Sequence, residues 1–240
     1  MEYVCLAAGR GTRMGSLSRY LQKCMYPIGL HPFLEYSIRN LVLHSDFNPD
    51  EDSLTLVIGH HQEQVRSYFG SEYQGLKIRY VQQQQQLGTS HAIHLAYETL
   101  LPTSSIIAWL ADLYVPIELF DEIRSHSSDN VQTLAMATPG TSSEIQVTVE
   151  KNIVTRSWKG SSGLVDIGLW KLAPDILGAM MERHEGEYRI MPNLQHAIES
   201  GKQIVALFAE EWVHLGGNEP STKDNLRAVI ERVLELEQST

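Results

Sequence analysis

A chain of 240 residues with 42% hydrophobic composition is long and apolar enough for one compact domain, and its formal charge of -10 argues against a nucleic-acid partner, which would need a basic face. An anionic small substrate is still compatible with that charge, because a few local cations and backbone N–H groups outweigh a distant negative field. Cys5 and Cys24 are too few for a disulfide framework or a structural zinc site and fit a reducing cytoplasm; no run of about 18 apolar residues and no basic export stretch is seen, so no membrane partner is expected.

Short apolar runs alternate with longer helical patterns, the signature of βαβ units. Strands are predicted over 3–7, 53–58, 76–81 and 106–110, with helices over 32–44, 61–69 and 89–101 between them. This is an α/β chain with a Rossmann-like, doubly wound, mostly parallel sheet over residues 1–130. The rhythm then changes. Segments 131–137, 145–150, 153–158 and 164–170 all look like strands, so 131–217 is expected to form a strand-rich insertion building a second lobe over the site. Helices are predicted over 174–182 and 189–200 and a strand over 203–208. An amphipathic helix over 221–236, with Leu226, Val229, Ile230, Val233 and Leu234 apolar, closes the chain in the segment 218–240. There is no internal repeat and no linker. The run Gln82 to Gln86 is the one low-complexity segment and is too short to be disordered.

Near the amino terminus, LAAGRGTRMG leaves the first strand at its carboxyl end, where free backbone N–H groups point above the sheet. Gly9 and Gly11 let the backbone bend, and Arg10 and Arg13 add charge, so the stretch has the ingredients of a phosphate cradle. It is neither a P-loop, since no Gly-Lys-Ser/Thr follows, nor a dinucleotide fingerprint, since Met14 stands where the third glycine belongs. Alone it reads as an ordinary tight turn. Ten residues after Arg13 comes Lys23, in QKCMYPIGLHPFLEY.

Together these segments resemble the opening of the sugar-1-phosphate nucleotidyltransferase family, L-A-A-G-x-G-T-R followed by P-K-P-x-x-P-I-x-x-x-P-x-L-E-Y. The resemblance implies that the backbone over Leu6, Ala8, Gly9, Gly11 and Thr12 wraps the phosphates of an NTP. It also implies that Arg13 contacts those phosphates and that Lys23 bridges the α-phosphate and the incoming phosphate. Gln22 and Cys24 replace the two prolines of the second block, which is expected to loosen the turn and leave the cation in place.

QQQQLGTSHAI is similar to the base-reading segment of the family's N-acetylglucosamine-1-phosphate uridylyltransferases. On that likeness Gln83 hydrogen-bonds the base edge, and Gly88 with Thr89 packs against it. A solvated loop before a helix capped by Thr89 or Ser90 is the structural alternative, and it is the one assigned to Gln82, Gln84 and Gln85. In IIAWLADLYVP, Asp112 ends an apolar strand where the resemblance implies a Mg²⁺ ligand; the competing role is a helix N-cap. The family's second metal-binding Asp falls on His214, and imidazole serves Mn²⁺ better than Mg²⁺. Asn218 or Asp224 could substitute, or His214 packs with Trp212.

On the acceptor side, the resemblance places Gln146 and Lys159 at positions that touch the sugar, and Asp166 and Trp170 are further acceptor-binding candidates. Asp166 replaces the usual Asn of N-T-G-I-Y, and it could accept from hydroxyls, face a positive charge such as choline, or simply end a strand. The implied activity is a Mg²⁺-dependent nucleotidyltransferase joining an NTP to a small phosphorylated acceptor, a sugar 1-phosphate, with release of pyrophosphate. Two alternatives stay open. One is an enzyme like the phosphocholine cytidylyltransferases, with Trp158 and Trp170 on the quaternary ammonium; the other is a degenerate nucleotide-binding regulatory protein. The length resembles the thymidylyl-, guanylyl- and phosphocholine cytidylyltransferases more than the bifunctional enzymes. The sequence leaves the oligomeric state and the choice among UTP, CTP and dTTP open.

Overall fold

The structure is a computed structural model that describes residues 1–137, 141, 143–215 and 222–239. The apolar run after Met1 forms β1 (Glu2–Ala7), whose last five residues are buried, as a strand covered on both faces should be. A small hairpin, β2 (Pro27–Ile28) and β3 (His31–Pro32), leads into helix α1 (Phe33–Leu43). Next come β4 (Ser53–Ile58), α2 (Gln62–Phe69), β5 (Glu72–Tyr73), β6 (Leu76–Gln82), α3 (Thr89–Leu100), β7 (Ile106–Leu110), β8 (Leu113–Tyr114) and α4 (Ile117–Ser125). The second half adds β9 (Val131–Met136), β10 (Gln146–Glu150), β11 (Ile153–Arg156), β12 (Leu164–Leu172) and the short α5 (Pro174–Leu177). It ends with α6 (Ile190–Glu199), β13 (Val205–Phe208), β14 (Val213–His214) and α7 (Thr222–Ser239).

Ten strands form one sheet in the order β10-β11-β13-β9-β12-β7-β1-β4-β6-β5. Its β7-β1-β4-β6 part is parallel, whereas β12 runs antiparallel to both β7 and β9, so the whole sheet is mixed. The strands after residue 130 therefore extend the first sheet along its edge and do not fold back as a separate lobe. The pairing of Leu169 to Leu172 on β7 fixes them there. Helix α5 stops at Leu177, short of the predicted 182, and residues 178–188 turn back toward the carboxyl edge of the sheet.

Alternation along β1 divides the interior. Tyr3, Cys5 and Ala7 face a layer with Leu34, Ile38 and Leu41 of α1, Val65 and Phe69 of α2, and Phe120 of α4. Val4 and Leu6 face the other layer, with Ile93 and Ala96 of α3, Ile176 of α5, and Leu194 of α6. A third cluster seats Val229 and Val233 of α7 on Ile28, Phe33, Tyr114 and Leu215. Among the described residues no helix is long and apolar enough to cross a membrane.

The topology also fixes where a ligand can go. Ala7, Ile58 and Gln82 are aligned across β1, β4 and β6, and Leu6 pairs with Leu110, so four loops leave the sheet at one edge. From β1 the chain passes to β4 on one side, while β7 joins it on the other. That reversal opens a crevice at the carboxyl ends of the strands.

Candidate active site

The crevice is a cleft of roughly 390 Å³ lined by Leu6, Ala8, Gly9, Gly11, Thr12, Arg13, Lys23, Gln83, Gly88, Thr89, Asp112 and His214, together with Gln22, Cys24, Gln86 and Glu187. Every residue expected on the nucleotide and metal side thus lines one cavity. Two glycines are needed for its shape. Gly11 has φ 61°, and a Cβ there would stand 2.9 Å from Cβ of Lys23; Gly88 has φ 121°, and a Cβ would stand 2.4 Å from the Tyr188 carbonyl oxygen. The second contact seats the 184–188 turn on the loop, with Tyr188 N donating to Leu87 O and Ser90 N donating to Tyr188 O. The backbone at Tyr188, and not the side chain of Thr89 or Ser90, therefore satisfies the start of α3.

At the centre, Lys23 Nζ donates to Asp112 Oδ2 at 2.5 Å, and His214 Nε2 lies 3.3 Å from Asp112 Oδ1. The short pairing of β14 with β8 puts His214 beside Asp112, so its partner is this carboxylate rather than Trp212. Asp112 is not a helix cap either: α4 begins five residues later at Ile117, with Pro116 before it and no side-chain cap. Burial raises the Asp112 carboxyl, but His214 and Lys23 outweigh it and hold the group well below the usual carboxylate range. Arg13 is exposed at the mouth and has no side-chain partner among the described residues.

Gln83 is 3% exposed, and its Nε2 donates to Gly88 O at 3.1 Å and lies 2.9 Å from His91 Nδ1. An amide nitrogen only donates, so His91 Nδ1 is the acceptor in this contact, and burial, with the nearby His94, lowers the His91 pKa. Both amide hydrogens of Gln83 are then committed, and the group left to offer a ligand is the oxygen.

Among the described residues no three His, Cys, Asp or Glu side chains converge into a metal cage. The donors at hand are one carboxylate and one imidazole. They fit a divalent cation that arrives with phosphate and water oxygens of its own, with Asp112 as the hard ligand. Asn218 lies outside the described residues, and Asp224 falls within α7 with its side chain undescribed.

The four acceptor-side candidates do not reach this cleft. Trp170 is 1% exposed within the core, where its Nε1 donates to Asp166, so it cannot face a ligand. Asp166 accepts from Gln132 Nε2, Trp170 Nε1 and Gly168 N; burial pushes its carboxyl up to about 6 against the pull of these donors. Lys159 sits over the Trp158 ring at 4.1 Å and lines a separate pocket of roughly 190 Å³ with Arg156 and His184. Gln146 Nε2 donates to Thr141 O.

Gln22 and Glu187 are cleft residues with no prior assignment. Gln22 corrects an expectation: rather than loosening the turn, it is buried and its Nε2 donates to Ala7 O and Gly9 O. Nothing in the sequence marks it except a residue out of place in the family pattern.

The chain is 27% identical to the bifunctional protein GlmU of Methanococcus vannielii over 90% of its own length and 52% of that protein. It is 25% identical to the UTP–glucose-1-phosphate uridylyltransferase AglF of Haloferax volcanii over 88% of this chain and 89% of that one. The chain thus spans about half the length of the GlmU proteins it matches. A crystal structure of UDP-glucose pyrophosphorylase complexed with UDP-glucose shares the fold, with a TM-score of 0.75 at 19% identity over 100% of this chain and 99% of the other. Residues 3–197 match the MobA-like NTP transferase domain, and the chain belongs to that family.

Proposed function

We propose that this protein transfers a nucleotidyl group from an NTP to a sugar 1-phosphate and releases pyrophosphate. The observation that carries the proposal is the Lys23–Asp112 pair at the switch point of the sheet, directly beyond the glycine loop. Uridylyltransferase and pyrophosphorylase relatives along nearly the full chain support the same chemistry.

In the reaction an oxygen of the acceptor phosphate attacks the α-phosphorus, the bond to the bridging oxygen of the β-phosphate breaks, and pyrophosphate departs. Little covalent help is needed, so positioning and charge carry the rate. The loop over Gly9 to Thr12 brings backbone N–H groups to the phosphates, and Arg13 adds a cation at the mouth. Lys23 is pre-aimed by Asp112, and its ammonium stabilises the crowded anion at the α-phosphorus. Mg²⁺, held by Asp112 with His214 alongside, would neutralise phosphate charge when bound.

Gln83 narrows the nucleotide. Its oxygen accepts, so it would take an N–H donor on the base edge, such as N3–H of uracil or thymine. Burial of Trp170 and the separate position of Trp158 remove the aromatic pair that a choline acceptor would need. A reducing cytoplasmic setting belongs to the same proposal, supported by the two free cysteines. Pyrophosphate release measured over a panel of NTPs and acceptor phosphates tests it. Turnover with UTP or dTTP and a sugar 1-phosphate is expected; release with no pair, or with CTP and phosphocholine only, would overturn it.

A further inference from the structure

Arg13 is borne by a segment with no core of its own, and Lys23 follows shortly after it. Residues Thr12–Arg19, which follow the glycine loop, include no buried side chain, so apolar packing does not hold them against the sheet. Polar side chains from the loop after β4 and from the first turn of α2 do so instead. His60 Nε2 and His61 Nε2 lie 2.9 and 3.3 Å from the Ser18 carbonyl oxygen. Gln64 Nε2 donates to Tyr20 O at 2.8 Å, and Gln64 Oε1 accepts from Gln22 N at 2.9 Å.

Gln22 carries this attachment into the cleft. Its Nε2 donates to Ala7 O at 2.5 Å and to Gly9 O at 3.2 Å, and its Oε1 accepts from Lys23 N. One amide therefore grips the carbonyls on either side of Ala8 and also the residue that bears the central cation. In a trans peptide the N–H lies opposite the C=O, so anchoring the oxygens of Ala7 and Gly9 also fixes the N–H directions of Ala8 and Arg10. It keeps both carbonyls from turning toward a triphosphate, which they would repel.

Resting on the nucleotidyl-transfer proposal, we infer that Gln22 is the positioning residue of the phosphate cradle and that Gln64 is its latch. The pair sets the loop amides and Lys23 for the triphosphate before it arrives. Preorganisation of this kind acts on nucleotide binding and turnover and leaves recognition of the acceptor alone. Gln64 does not line the cleft, so any effect it has on nucleotide must travel through the backbone it holds, at Gln22 N and Tyr20 O.

The backbone of Gln22 has φ -65° and ψ 132°, which a proline adopts without strain. Gln22→Pro thus keeps the path of the chain while removing the amide and the N–H to Gln64. Calorimetric binding of NTP and of pyrophosphate, with steady-state kinetics for both substrates, is measured for the wild type, Gln22→Pro, Gln22→Ala, Gln64→Ala and Gln64→Glu. Loss of two or three hydrogen bonds predicts NTP affinity and kcat each about tenfold lower in the Gln22 variants, with the acceptor KM within about twofold. Gln64→Ala should weaken NTP binding by about fivefold, and Gln64→Glu, which keeps an acceptor for Gln22 N, should recover most of that loss. In the double variant Gln22→Ala with Gln64→Ala, the Gln64 change should add nothing.

Unchanged NTP affinity in Gln22→Pro would overturn the inference, and so would NTP and acceptor KM rising together in Gln64→Ala. A wild type that binds no NTP would sink the functional proposal itself, whereas a wild type and variants that bind equally well sink only the latch.

Discussion

Two aspartates in two parts of one sheet are held in opposite ways. Asp112, at the carboxyl edge beside β7, is met by Lys23 and His214 and stays well below the ordinary carboxylate range although burial alone would raise it. Asp166, on β12, is met by the N–H groups of Gln132, Trp170 and Gly168 and by no cation, and burial pushes it up to about 6. A carboxylate kept charged beside a lysine at a cleft is equipped to organise phosphates and metal. One whose oxygens are filled by neutral donors is equipped to hold a strand in shape. The contrast separates a chemical half of the molecule from a scaffolding half.

The largest expected effect tests the chemical half. Lys23→Ala should lower kcat/KM by about a thousandfold, because a preorganised cation on a developing oxyanion is worth several kcal/mol. Its thermal midpoint should fall by no more than a few degrees, since Asp112, mostly buried with the lysine, keeps His214 beside it. Asp112→Asn should cost about a hundredfold and shift the Mg²⁺ requirement to higher concentration. If Lys23→Ala kept near-normal turnover, or if both variants unfolded together, the pair would be scaffolding after all and the contrast with Asp166 would vanish.

A smaller effect should appear in the choice of base. Gln83 presents only its oxygen, so Gln83→Ala should reduce discrimination between UTP and CTP by about tenfold, the scale of one lost polar contact. Gln84→Ala should leave the ratio unchanged. Competition assays with mixed NTPs give the ratio directly, and equal effects at the two positions would show that the base does not meet this segment through Gln83.

The chemical half was also the more legible one in the sequence, for a physical reason. Gly9, Gly11 and Arg13 alone read as a tight turn after a strand end, and it is their resemblance, with Lys23 ten residues on, to the opening of a known family that marks them. The strand ends predicted at 7, 58 and 110 match β1, β4 and β7, because continuous apolar runs covered on both faces leave little choice of boundary. Gln22 was misjudged because its value lies in three hydrogen bonds to backbone atoms as far away as Ala7, which no local pattern records. The expected second lobe was misjudged because strand periodicity says where strands are and not which edge they join. Trp170 failed for a related cause: β12 lies between β9 and β7 inside the sheet, and the indole is buried in the core.

The smallest effect concerns Asp166 and is a matter of sign. Its folded pKa lies above the usual value, so protons bind the folded state more tightly. Its contribution is complete below the unfolded pKa, near 4, and is lost as pH rises through about 6. Asp112 behaves in the opposite sense: its depressed pKa gives a contribution already complete at pH 5 and lost only in stronger acid, so it adds no slope between pH 5 and 8. His44, lowered mainly by burial, adds a pH dependence of its own, so the useful quantity is the difference between the wild type and Asp166→Asn, in which His44 cancels. From pH 5 to 8 the wild type should lose about 1–2 kcal/mol relative to Asp166→Asn, read from denaturant unfolding at each pH. Because an amide cannot charge, the variant should be the less stable protein at pH 5, where it lacks one acceptor for three donors, and should close that gap by pH 8. A difference that stays flat across the range, or grows with pH, would mean that Asp166 is ionised and paired like Asp112, and the second half would then have to be searched for a cation facing it.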